Sequence, residues 1–141
     1  MPRTLQSTNY RYRVPPNCYF EVDDYESEWE FSRPFDFIHG RSLEGTVKNF
    51  PRFFRQAFKS LSPGGWLEMA GIPLSVYADD DTIESGHAPY MVEWGDLLRE
   101  ASVKFGKSVD TPHLYKTWMQ DAGFQNIKED VYKVCLIPDL G

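Results

Sequence analysis

The sequence predicts an α/β protein built on a parallel sheet, and three observations carry that expectation. Phe35-Asp36-Phe37-Ile38-His39 is a short run of β-formers that stops at Gly40. From Phe50 the apolar residues fall at Phe50, Phe53, Phe54, Ala57, Phe58 and Leu61, the spacing of one helical face, with Arg52, Arg55 and Lys59 between them. Trp66 to Ala70 follows as a second strand, after a Pro63-Gly64-Gly65 that is expected to end the helix and turn the chain. Strand, crossover helix and strand in so short a length favour a parallel pair with a right-handed connection.

The totals bound the rest. A chain of 141 residues is one domain with room for a core. Aromatic residues make up 16% of it, so ring surface dominates that core or a pocket. A formal charge of −6 excludes nucleic acid as the expected partner, because phosphate binding needs a positive field. Cys18 and Cys135 lie in apolar runs without metal or redox spacing and read as reduced core thiols. No apolar run is long enough to span a membrane and no signal core opens the chain, so a cytoplasmic location is expected.

In chain order, residues 1–16 read as an N-terminal arm, either mobile or docked on a partner, and 17–141 as the domain. Pro15-Pro16 leads into an expected strand at Cys18–Val22, left through the acidic run Asp23-Asp24-Tyr25-Glu26-Ser27-Glu28. Asp79-Asp80-Asp81 reads as a solvated turn, since a cation loop's alternating ligand spacing is absent. A second amphipathic helix starts at Pro89, with Tyr90, Trp94, Leu97, Leu98, Ala101 and Phe105 on one side. A third has Thr111 as N-cap, Pro112 in its first turn and Gly123 after its end, with Tyr115, Trp118, Met119 and Ala122 as its apolar face. Ile127 to Ile137 reads as a last strand.

In open α/β sheets ligands sit beyond the carboxyl ends of the strands. That rule selects His39 and Arg41, Glu68, and Asp23-Asp24. His39 is a candidate acid or base and Arg41 a candidate clamp for developing negative charge. The structural alternatives are a hydrogen-bonded strand-end histidine and an arginine paired with Asp23 or Glu68. His87 and His113 have weaker claims, and three histidines without paired spacing suggest no metal site.

The motifs PPNCYFEVDD, FDFIHGRSL, SLSPGGWLEM and WMQDAGF, in that order, resemble class I S-adenosylmethionine-dependent methyltransferases, nearest to the fungal LaeA-like group of specialised metabolism. The resemblance runs from about Val14 to about Ile137. It implies a truncated Rossmann-like methyltransferase fold: a mostly parallel sheet, an antiparallel C-terminal strand and flanking helices. By the same resemblance Asp23 and Asp24 stand where the cofactor's adenine is met, and Ile38 to Arg41 beside the cofactor. Tyr90, Trp94, Tyr115 and Trp118 lie on helices that cover the acceptor substrate in the family, core packing being the alternative.

The family's glycine-rich loop and first helix, which hold the cofactor's charged end, have no counterpart in Met1–Pro16. The expectation is therefore a chain without a cofactor, unless a partner chain completes the S-adenosylmethionine site. It would do acid–base chemistry such as cyclisation, isomerisation or dehydration on a small apolar intermediate through His39, Arg41 and Glu68. Three alternatives stand beside it: a non-catalytic partner, a methyltransferase subunit completed by another chain, and a fragment of a longer gene product. The strand that flanks Phe35–His39 in the family is also missing, and an open ladder edge recruits a partner. A homodimer, or a heterodimer with a full-length methyltransferase, is expected.

Overall fold

The computed structural model describes residues 15–74, 78, 80, 81, 83 and 85–133. The expectations for the N-terminal arm up to residue 14, for Asp79, for Cys135 and for the far end of the last strand lie outside them.

The centre is the strand–helix–strand unit. β1 (Phe35–Arg41) and β2 (Leu61–Ala70) pair in parallel, joined by α1 (Phe50–Ser60). Asn49 starts α1: its side-chain oxygen accepts the Arg52 N–H at 2.9 Å, which satisfies one of the free donors of the first turn. Phe50, Phe53, Phe54 and Ala57 are buried as their spacing requires, and Phe54 is 0% exposed. Each such ring contributes about 1.5–3 kcal/mol by leaving water. Phe58 is left 44% exposed, its ring edge-on to Phe124 at 5.1 Å.

The second strand starts earlier than expected. Leu61 already pairs with Phe35, and Trp66 pairs with Phe37, so Pro63-Gly64-Gly65 lies inside β2 as a local irregularity rather than between elements. Gly64 takes φ +83°, the left-handed conformation that makes this kink affordable.

A 3-10 turn (Pro112–Leu114) leads into α3 (Tyr115–Ala122), which ends at Gly123 with φ +107°. Thr111 does not act as a side-chain cap: the Leu114 N–H reaches its carbonyl instead. α3 packs on α1 through rings, with Phe50 to Tyr115 at 5.1 Å and Phe54 to Tyr115 at 5.6 Å. Val47, Phe50, Phe53, Phe54, Tyr115 and Met119 form the core, lined on its sheet side by Leu67 and Met69.

The other face of the sheet is bare among the described residues. Strand alternation places Phe37, His39, Arg41, Trp66 and Glu68 there, and Trp66 is 70% exposed. α2 (Pro89–Phe105) stands apart from the α1–α3 layer and is tied to it mainly through the segment that follows it.

Three expectations need correction. Residues 18–22 and 127–133 form no strand. β propensity is realised only where a neighbouring strand takes up the backbone groups, and among the described residues the sheet has two strands. Cys18 is exposed, not a core thiol. The parallel α/β unit itself is present as the sequence requires: a truncated Rossmann-like fragment with, among the described residues, two parallel strands and three α-helices. Among the described residues no helix is long and apolar enough to cross a membrane.

Candidate functional site

A groove of about 330 Å³ runs along the outer edge of β1. Phe35 and Phe37 reach it from one face of the strand and Ile38 from the other. Its opposite wall is the loop carrying Asp23, Tyr25, Trp29 and Phe31. Trp29 fixes that wall: its ring stands edge-on to Phe53 of α1 at 5.5 Å, and its indole N–H donates to the Tyr25 carbonyl at 2.9 Å. Phe31 packs edge-on to Phe35 at 4.7 Å. The site is thus a slot between aromatic walls, with the carboxylate residues Glu21 and Asp23 also lining it.

The two adjacent acids part company. Asp23 lines the slot, while its Oδ1 also accepts the Asp24 N–H at 2.8 Å. Asp24 is spent on its own turn, accepting from the Glu26 N–H at 2.9 Å and the Ser27 hydroxyl at 3.2 Å. Both oxygens of Asp24 are thereby engaged within the loop.

His39 and Glu68 stand opposite each other in the β1–β2 register, and His39 Nδ1 lies 2.8 Å from Glu68 Oε2. An ionised carboxylate only accepts, so Nδ1 carries the proton and Nε2 is left as the accepting nitrogen. Both side chains sit on the bare sheet face rather than beyond the strand ends, with the Phe37 ring stacked on His39 at 6.4 Å. Arg41 is two residues on, on the same face. It pairs with neither Asp23 nor Glu68, and among the described residues it has no ion-pair partner, so its fork is free to meet an anion.

The four expected acceptor-wall aromatics do not share a wall. Tyr115 is buried in the core, where its hydroxyl donates to Glu44 Oε1 at 3.0 Å. Burial first, and the Glu44 carboxylate with it, push the Tyr115 pKa up, so the phenol stays neutral. Trp118 stacks on Phe50. Tyr90 and Trp94 are exposed on α2. His87 Nδ1 lies 2.6 Å from the Ser85 hydroxyl, and His113 lies 3.9 Å from Asp110, both on the surface. Among the described residues no three His, Cys, Asp or Glu side chains gather as a metal site.

Sequence reasoning missed the aromatic wall of the slot. Its signal was present as Tyr25 and Trp29, one helical turn apart in an otherwise acidic run. It also missed Glu44, whose partner Tyr115 is 71 residues away.

Comparison with known proteins identifies the family. A family profile described as "Methyltransferase domain" matches residues 7–129. The "Probable methyltransferase tdiE" of Emericella nidulans is 42% identical over 112 residues, 79% of this chain and 34% of that protein. The "Methyltransferase pytC" of Aspergillus terreus is 36% identical over 121 residues, 86% of this chain and 37% of that protein. The "Secondary metabolism regulator LAE1" of Cochliobolus heterostrophus is 31% identical over 125 residues, 86% of this chain and 40% of that protein. The chain spans about a third of the length of the first two of these relatives. No solved structure matches. The match overturns the expectation of a chain that needs no cofactor: a methyltransferase domain requires a methyl donor, and in the class I group that donor is S-adenosylmethionine. The 141-residue chain belongs to the methyltransferase-domain family, among fungal LaeA-like members that include proteins of secondary metabolism.

Proposed function

We propose that this chain supplies the adenine-side edge and the acceptor-activating face of an S-adenosylmethionine-dependent methyltransferase acting on a small, largely apolar fungal metabolite. The observation that carries the reading is the continuity of β1. Ile38 lines the aromatic slot with Asp23, and the next residue, His39, is held by Glu68 at 2.8 Å. Tyr25, Trp29, Phe35 and Phe37 would hold the cofactor's purine and Asp23 its amino group. When bound, the cofactor supplies the methyl group.

The chain's own residues do the rest. Glu68 keeps the proton on His39 Nδ1 and stabilises the imidazolium, so Nε2 can take a proton from an acceptor hydroxyl. Arg41, on the same strand face, steadies the oxyanion that this leaves. The sequence contains no glycine-rich run of the kind that holds the charged end of the cofactor. In this reading the residues named here meet the adenine end of the cofactor.

The test is a chimera in which this chain replaces the matched segment of the E. nidulans relative, assayed with methyl-labelled S-adenosylmethionine against fungal metabolite extracts. Labelled product is expected. His39→Gln or Glu68→Gln should lower the rate by about 10²-fold, the scale of general acid–base catalysis, without changing cofactor binding. A product isomeric with its substrate and lacking the label would replace methyl transfer by proton transfer alone. Full activity in both variants would remove the pair from the chemistry.

A further inference from the structure

α1 buries one face and presents a row of cations on the other. Phe50, Phe53, Phe54 and Ala57 are buried, while Arg52, Arg55 and Lys59 are exposed. At about 100° per residue those three fall within about 60° of one another, opposite the buried rings. Lys48, also exposed and just ahead of the N-cap Asn49, extends the row by another turn. Among the described residues none of the four side chains has an ion-pair partner. Glu26, which accepts the Lys48 backbone N–H, is engaged by Lys107 at 2.9 Å. The row works against the helix that carries it. Like charges one turn apart repel, and Arg52 lies in a first turn without an acid, where the helix dipole favours anions. α2 is built differently: Arg99 meets Asp96 and Lys104 meets Glu100, both at 2.6 Å on the same helix. The stability of α1 therefore does not account for its cations.

We propose that this row docks a short acidic segment of another polypeptide, laid along α1 with its carboxylates on Arg52 and Arg55 at the centre. A guanidinium takes a carboxylate through two parallel donors, which fixes the segment as well as attracting it. The charge balance selects this kind of partner. The chain holds 15 Lys and Arg against 21 Asp and Glu; with these four cations set aside, 11 remain against the 21. The row is thus a positive island on an acidic molecule. A long polyanion such as nucleic acid, or an anionic membrane, meets the acidic remainder too and is repelled. A segment of a few residues stays within a Debye length of the row, about 8 Å at physiological salt, and feels the cations alone. The row shares no residue with the β1 slot or with the His39–Glu68 pair, so it stands or falls apart from the function proposed for those sites.

Fluorescence anisotropy of a labelled glutamate octapeptide, titrated with the intact chain at about 0.15 M salt, tests it. Saturable binding is expected, and it should weaken as salt rises. Arg52→Glu together with Arg55→Glu should weaken it about tenfold or more. That double variant puts an acid in the first turn of α1 and should melt no lower than the natural chain, which separates lost binding from lost fold. Arg52→Gln with Arg55→Gln, a milder change that suits a helix equally well, should weaken binding by a smaller factor. Lys104→Glu on α2 should leave it unchanged. A peptide that does not bind overturns the proposal. So does binding that both double variants keep, binding that Lys104→Glu weakens as much as they do, or a thymidine octanucleotide that binds as well as the peptide.

Discussion

Trp118 lies flat on Phe50, the ring centroids 5.4 Å apart and the planes 10° from parallel. That contact, with Tyr115 beside it, is what docks α3 on the crossover helix and closes the core over β1 and β2. Phe54, at the centre and fully buried, has no room to relax around a void. Phe54→Ala should cost about 3–5 kcal/mol, and Trp118→Ala, half-buried, about 2–3 kcal/mol. Urea unfolding measures both, and the ranking is the prediction.

Two helix-ending glycines should respond differently to the same change. Gly106 and Gly123 both have positive φ, at +82° and +107°. A methyl on Gly106 would meet open space, whereas one on Gly123 would press on the Phe58 ring at 3.1 Å. Gly106→Ala should cost about 1 kcal/mol, and Gly123→Ala about 1–2 kcal/mol more than that. Thermal unfolding of the two variants side by side shows whether the ring contact matters.

Tyr115 makes part of the stability pH-dependent on the alkaline side. Its folded pKa is raised above the ordinary value of 10.0, by burial and by Glu44. Above that value the unfolded chain gives up the proton and the folded chain does not. The Tyr115 contribution is therefore complete below pH 10 and declines as pH rises beyond it. Tyr115→Phe should lose about 1 kcal/mol at neutral pH with the Glu44 hydrogen bond. Its stability should also fall less steeply than the natural chain's on the alkaline side.

How much the sequence disclosed follows the range of each interaction. α1 and α2 were legible almost to the residue, because helical periodicity is local and Pro51 and Pro89 mark their first turns. Cys18–Val22 and Ile127–Lys133 carry equally clear β composition yet form no strand, because a strand depends on a neighbour and the sheet holds only β1 and β2 among the described residues. Pro63-Gly64-Gly65 reads as a turn from its composition, but the ladder with Phe35 draws Leu61 into the strand ahead of it. At the site, the pairing of His39 with Glu68 depends on the parallel register, which no local pattern states. The same holds for the division of labour between Asp23 and Asp24, decided by which carboxylate the turn consumes.

The claim on which the account rests is that the slot between Asp23 and Ile38 is the adenine edge of an S-adenosylmethionine site. Titrating the isotopically labelled chain with S-adenosylmethionine and following its amide and methyl resonances tests this directly. The account predicts weak, saturable shifts confined to Asp23, Tyr25, Trp29 and Ile38, reproduced by adenosine and lost in Asp23→Ala. Shifts centred elsewhere, or binding indifferent to Asp23→Ala, would contradict it.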